Sequence, residues 1–234
     1  MKKENKLLYR HELKYRINEL EKEVLIKRLS SLIALDANTN NGQYMIRSLY
    51  FDDVCNSAYE DKMRGIAERK KYRIRIYNCS DQLIKLERKE KKDQYIKKES
   101  ATLTRDETEK IISGDFRFLA KRQEPISREF YLKCLLNGMK PRVIVDYDRI
   151  PYIYLPGDVR ITFDMHVRAG LLSYNIFDPE LPTLEVLNDG ELILEVKYTE
   201  FLPEIIRNLL PISSSMNMAY SKYVLCYEKK YGIR

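Results

Sequence analysis

Residues 70–77 read KKYRIRIY, and no other feature of the chain constrains its fold as tightly. Successive strand side chains point to opposite faces, so Lys71, Arg73 and Arg75 share one face while Tyr72, Ile74 and Ile76 share the other. The theme recurs. In LIKLERKEK, Lys85, Glu87 and Lys89 oppose Ile84, Leu86 and Arg88. Arg142, Ile144, Asp146 and Asp148 alternate with Val143, Val145 and Tyr147, then Arg160, Thr162 and Asp164 with Ile161 and Phe163. Near the end, Glu195 and Lys197 oppose Leu194, Val196 and Tyr198. Such repeated alternation predicts a largely antiparallel sheet with one charged and one apolar face.

The remaining segments supply the cover. Leu7 to Ile17 reads as an opening strand. Asn18 then caps a helix with apolar positions Leu20, Val24, Leu25, Leu29 and Leu32. After the polar turn DANTNNGQ comes the strand YMIRSLYFDD, then a short helix or turn over residues 55–65. AERKKYRIRIYN and LIKLERKEK make a hairpin across NCSDQ. Thr104 and Glu107 have capping-box spacing, so a helix starts there and runs towards Ser113; a second spans SREFYLKCLL with Ser127 as its cap. Three further strands, RVIVDYDRIPYIY, DVRITFDMHVRAG and ELILEVKYTEF, precede a final helix over MNMAYSKYVLCYEKKYG. About eight strands with interspersed helices make an α+β fold, and without a linker or repeat residues 1–234 read as one domain.

The charged faces admit two readings. Taken singly, each is a solvated outer face. Taken together, the strands have no second sheet to cover their apolar side, so amphipathic helices take that role; if the sheet closes into a barrel, its charged side becomes the interior. Like charges about 7 Å apart repel by roughly 2 kcal/mol at an effective dielectric near 20, against about 0.6 in water. The interior carboxylates assignable from sequence, such as Glu12 and Glu195, are too few to balance the bases. A polyanionic ligand is the expected remainder.

Bulk composition narrows the partners. The formal net charge is +7, with 42 Lys+Arg against 35 Asp+Glu. Four scattered cysteines without a CxxC pair, and two distant histidines, argue against a zinc or disulfide framework. No apolar run suits a signal peptide or transmembrane helix, so a reduced cytoplasmic location is expected. Eighteen tyrosines interleaved with basic residues leave single-stranded RNA as an alternative ligand, though no motif specifies a nucleic acid.

The ordered motifs RHELKYRI, LYFDD, KYRIRIY, KLERKEK, PRVIVDYDRIPY, DVRITFD, ILEVKY and AYSKYVLC resemble the VTC domain, the polyphosphate polymerase domain of the vacuolar transporter chaperone complex and its bacterial relatives. The resemblance spans about residues 8 to 228. It implies a triphosphate tunnel fold, a closed antiparallel barrel whose lumen takes ATP and polyphosphate with Mn²⁺ or Mg²⁺. Carried over by motif, it places Lys14, Arg73, Arg75, Lys89, Arg142, Arg160, Lys197 and Lys222 around phosphate, with Lys98 and Arg149 as further contacts. Glu195 becomes the metal-binding carboxylate, and Tyr50 either orients a neighbour or packs.

The residue types suit phosphoryl transfer, which asks for positioning and charge stabilisation rather than covalent chemistry. Arginine offers a planar, bidentate fork and lysine a compact point charge. The opening motif departs from triphosphate-hydrolysing tunnel enzymes, having Glu12 alone where their ExExK motif has two glutamates. That favours chain synthesis, with a tunnel triphosphatase or a non-enzymatic polyphosphate- or RNA-binding protein as alternatives. The sensing domain and membrane anchor of fungal relatives have no counterpart here; a separately encoded membrane partner is compatible with the sequence.

Overall fold

The computed structural model describes residues 11–37, 39, 41–93, 95–199, 201–210 and 221–233. Its strands are β1 (His11–Asn18), β2 (Ala34–Leu35), β3 (Tyr44–Asp52), β4 (Glu68–Tyr77), β5 (Ser80–Lys92), β6 (Tyr95–Leu103), β7 (Lys140–Tyr154), β8 (Val159–Gly170), β9 (Thr183–Glu185) and β10 (Glu191–Tyr198). The helices are α1 (Glu19–Leu29), α2 (Ser57–Met63), α3 (Arg105–Ser113), α4 (Pro125–Asn137), α5 (Glu204–Leu209) and α6 (Lys222–Tyr231). Residues 7–10 of the expected first strand and 216–220 of the expected last helix lie outside the described residues.

The local chemistry of the caps and turns is legible. Asn18 and Thr104 form capping boxes with Glu21 and Glu107 at the starts of α1 and α3. The β4–β5 hairpin turns on Asn78 and Cys79, both with positive φ, as a two-residue type I′ connection requires. Ser127 proves not to be a cap: α4 begins two residues earlier, with Pro125 in its first turn, and Ser127 is buried within the helix. β6 was not foreseen, because YIKKESATL is polar along its first half and alternates weakly.

All ten strands belong to one antiparallel sheet, whose main path runs β1-β10-β8-β7-β3-β4-β5-β6. Among the described residues the hydrogen-bonded ladder does not close: β1 and β6 are the two ends of the path. The expected α+β fold with a large antiparallel sheet is present, and the described strands form a curled sheet that backbone hydrogen bonds do not close. Side chains span the seam instead, with Lys89 Nζ 2.7 Å from Glu12 Oε2 and the His11 and Tyr95 rings 6.4 Å apart.

Helices cover the convex face in two groups. Under α3 and α4 lie Phe51, Tyr72, Ile74, Ile76, Ile84 and Leu86, packed with Ile111 and Phe130; under α1 and α5 lie Tyr15, Ile17, Phe163, Leu194 and Val196, with Leu25, Leu29 and Ile206. Burying each such large side chain contributes roughly 1.5–3 kcal/mol. Leu20 and Val24, expected in the core, remain exposed on α1, and Leu32 falls beyond the helix.

The concave face is divided. Ile46, Val143, Val145, Tyr147 and Ile193 face inward and pack against Tyr223, Val224, Cys226 and Tyr227 of α6, so the last helix sits inside the curl. Asp52 anchors it by accepting a 2.7 Å hydrogen bond from Tyr223, while also accepting from the backbone N–H groups of Ala58 and Tyr59 in α2. This turns the expected charged face of β7 around. Its valines look inward at α6, and Asp146 looks outward into a buried bidentate pair with Arg47.

Candidate functional site

The unfilled part of the concave face is a cavity of about 610 Å³. Eleven lysines and arginines and two carboxylates line it, from β1, α2, β4, β5, β7, β10 and the N-terminus of α6. The strand alternation read from sequence is what aims them: Arg73 and Arg75 point in because Ile74 and Ile76 are held out under α3 and α4.

The arginines are held in fixed geometry. Arg73 donates to Glu87 from Nε at 2.8 Å and to the Tyr50 hydroxyl from Nη1 at 2.7 Å. Arg75 reaches the Ser48 and Tyr147 hydroxyls, both at 3.3 Å. Arg149 grips Asp164 with two bonds, at 2.6 and 2.8 Å, lies 3.4 Å from Glu195, and sits over the Tyr147 ring. Tyr50 is thus an orienting group, its hydroxyl accepting from Arg73.

The lysines and carboxylates form a second set. Lys14 lies 3.4 Å from Glu12 and 3.6 Å from Glu195; Lys197 lies 3.9 Å from Glu12 and 3.4 Å from Glu195. The β1–β10 register, Lys14 opposite Glu195 and Glu12 opposite Lys197, produces this square of alternating charge. Lys222, at the first turn of α6, reaches Asp164 at 2.5 Å and lies 4.8 Å above the Tyr147 ring. It is a cavity lysine rather than an exposed helix lysine, because α6 enters the curl N-terminus first.

Electrostatics follow from crowding of charges in a largely buried site. Burial raises the Glu195 carboxyl, but Lys197, Lys14, Lys222 and Arg149 outweigh it and hold the group well below the usual carboxylate range. Burial pulls Lys197 down to about 8, against the opposing pull of Glu195 and Glu12. Burial and neighbouring Lys14, Lys62 and Lys89 push Lys71 well below an ordinary lysine, and Lys62 falls to about 8. An entering anion relieves this strain directly.

The structure brings together Lys14, Arg73, Arg75, Lys89, Arg149, Glu195, Lys197 and Lys222. Lys98, half-exposed on β6, pairs with Glu87 behind the Arg73 side chain. Arg142 and Arg160 are placed elsewhere. Arg142 sits beside the register shift between β3 and β7 and donates to the Asp53 carbonyl; Arg160 is held by Asp36 at 2.7 Å and the Tyr44 hydroxyl at 2.9 Å. Sequence reasoning missed Lys62, Arg69 and Lys91. Glu87 and Asp164 lie on the charged strand faces that the alternation gives, and they add to Glu12 and Glu195 as interior carboxylates.

Among the described residues no group of three or more His, Cys, Asp or Glu side chains could hold a metal. Glu195 and Glu12, brought near each other by the lysines they share, fit a divalent cation only of the kind that takes one or two carboxylates and draws its other ligands from phosphate and water.

The sequence profile of the VTC domain matches residues 9–231. No curated protein sequence matches the chain. Among solved structures, the chain is similar to a Hippeastrum protein described as a candidate adenylyl cyclase with a dominant triphosphatase activity. Identity is 13%, the TM-score 0.57, and the match covers 95% of this chain and 97% of that one. The PH1819 protein of Pyrococcus horikoshii OT3 matches at 17% identity and TM-score 0.49, over 94% and 99% of the respective chains. At 13% identity the likeness to the Hippeastrum protein is one of fold alone.

Proposed function

The chain belongs to the VTC domain family, and on that premise we propose that it is an ATP-dependent polyphosphate polymerase, transferring the terminal phosphate of ATP to a growing chain. The observation that carries this reading is the excess of lining cations over carboxylates in a cavity whose arginines are fixed by Glu87, Asp164 and tyrosine hydroxyls. In the proposed roles, Arg73 and Arg75 hold nonbridging oxygens; Lys89 and Lys197 neutralise charge developing on the transferred group. Lys14, Arg149 and Lys222 grip flanking phosphates. Glu195, with Glu12 beside it, would hold Mg²⁺ or Mn²⁺, which supplies charge stabilisation at phosphate oxygens when bound.

A phosphate acceptor is already ionised near neutral pH, so the acceptor needs no general base. Incubation of purified protein with ATP and Mn²⁺, followed by gel resolution of products, tests the proposal. A ladder of long chains is expected; ADP and orthophosphate alone would overturn it. That second outcome is the one expected of a tunnel triphosphatase, a reading supported by the activity described for the Hippeastrum protein of similar fold.

A further inference from the structure

Every lining residue that α2, β4 and β5 send into the cavity is a cation: Lys62 from α2, then Arg69, Lys71, Arg73 and Arg75 from β4, and Lys89 and Lys91 from β5. The β4–β5 register divides this wall in two. Arg73 stands opposite Glu87 and is bonded to it, but the next two pairs on the same face set Lys71 against Lys89 and Arg69 against Lys91. Like charges directly opposite one another across a ladder are destabilising. Glu12 relieves Lys89. Among the described residues, Lys62, Arg69, Lys71 and Lys91 make no ion pair. Lys71 donates to the Ser221 hydroxyl at 2.8 Å and Arg69 to the Ile66 carbonyl at 2.6 Å; Asp61 acts on Arg69, and Glu12 on Lys91, only at longer range. Ser221 caps α6, whose first turn carries no acidic residue, so the positive end of that helix adjoins the same cluster.

We propose that this uncompensated wall is the acceptor-chain subsite: a linear polyphosphate longer than triphosphate runs outward from Arg73, past Lys71, to Lys62, Arg69 and Lys91. The inference rests on the phosphate-binding reading of the cavity and deepens it, by assigning the chain to the end of the cavity between α2 and the β4–β5 hairpin. Four residues, roughly 13 Å of strand, separate Arg73 from Arg69. A triphosphate held at Arg73 and Arg75 is too short to span that length. The inner arginines are fixed by Glu87 and Asp164, which suits the phosphates that react. The outer cations have no such carboxylate, and flexible lysines grip a charged chain without fixing its register, as a chain that must advance requires. A single-stranded nucleic acid needs rings on which its bases stack, and α2, β4 and β5 present none to the cavity.

Titration calorimetry with inorganic triphosphate and with a linear polyphosphate several times longer, each with Mg²⁺, tests this for the wild type, Lys62→Met, Lys91→Met and the double variant. The longer chain is expected to bind the wild type more tightly. Each substitution should lower the ratio of long-chain to triphosphate affinity by roughly 3-fold or more. Extra binding registers on the longer chain are the same in every variant, so the change in that ratio isolates the subsite. Urea midpoints should hold or rise, because repelling charges are removed. A ratio unchanged by the double substitution, or midpoints that fall in step with affinity, would overturn the subsite while leaving the phosphate site standing. So would a single-stranded oligouridylate that binds as tightly as the longer chain and suffers the same losses. If the wild type binds neither phosphate, the phosphate reading fails and the subsite with it.

Discussion

Glu195 faces Lys14 across the β1–β10 ladder, with Lys14 Nζ 3.6 Å from Glu195 Oε1, and this one cross-strand pair joins the cavity's carboxylate to its opening strand. Because Lys197 shares both Glu195 and Glu12, the four side chains act as a unit. Neutralising Glu195 removes the proposed metal carboxylate and leaves buried lysines less compensated. Glu195→Gln is expected to cut turnover by about 100-fold or more and to raise the Mn²⁺ concentration needed for half-maximal rate, measured from initial rates across a metal titration.

Arg73 and Glu87 separate binding from stability. Glu87 is buried and paired with Arg73, so Arg73→Ala strips much of the compensation from a buried carboxylate, at a cost of up to about 3–5 kcal/mol. A test of the Arg73 side chain in binding alone therefore needs a compensating change at Glu87. Adding Glu87→Gln to Arg73→Ala is expected to recover most of the lost stability in urea titrations. Triphosphate affinity should stay low.

Lys197 sets a pH limit. Its folded pKa of about 8 lies below the ordinary 10.5, so between those values the unfolded chain holds the extra proton and this group's contribution to stability rises with pH. Anion binding has the opposite sign, because it needs the ammonium. Triphosphate affinity is expected to fall as pH rises through 8, and binding at pH 8 should take up protons, visible as a buffer-dependent calorimetric enthalpy. Lys62 reinforces the effect, and Lys197→Arg should move the fall to higher pH.

Arg47 and Asp146 supply the control. They form a buried bidentate pair on the convex side, at 2.8 to 3.1 Å, away from the cavity lining. Asp146→Asn is expected to destabilise by about 3–5 kcal/mol in urea unfolding, through an uncompensated guanidinium. Activity per folded molecule should be unchanged at low temperature.

Much of this protein was written locally. Period-two alternation chose the face on which Arg73, Arg75, Glu195 and Lys197 lie, because a strand cannot place residues two apart on opposite sides. Asn18 and Thr104 announced their helices for an equally local reason, a side chain within reach of its own third backbone N–H. Local pattern could not say which face of β7 turns inward. Both of its faces pair sensibly, and only the arrival of α6 from the far end of the chain decided that Val143 and Val145 look in and Asp146 out. Lys222 likewise reads as an ordinary helix lysine until α6 is inside the sheet. The open seam is also tertiary: closure depends on whether β1 and β6 meet in hydrogen-bonding register, a relation between edges some eighty residues apart that no short motif encodes. The sequence by itself determined which side chains share a face; the tertiary structure decided which faces enclose a cavity, because enclosure depends on long-range packing that a strand's own residues do not contain.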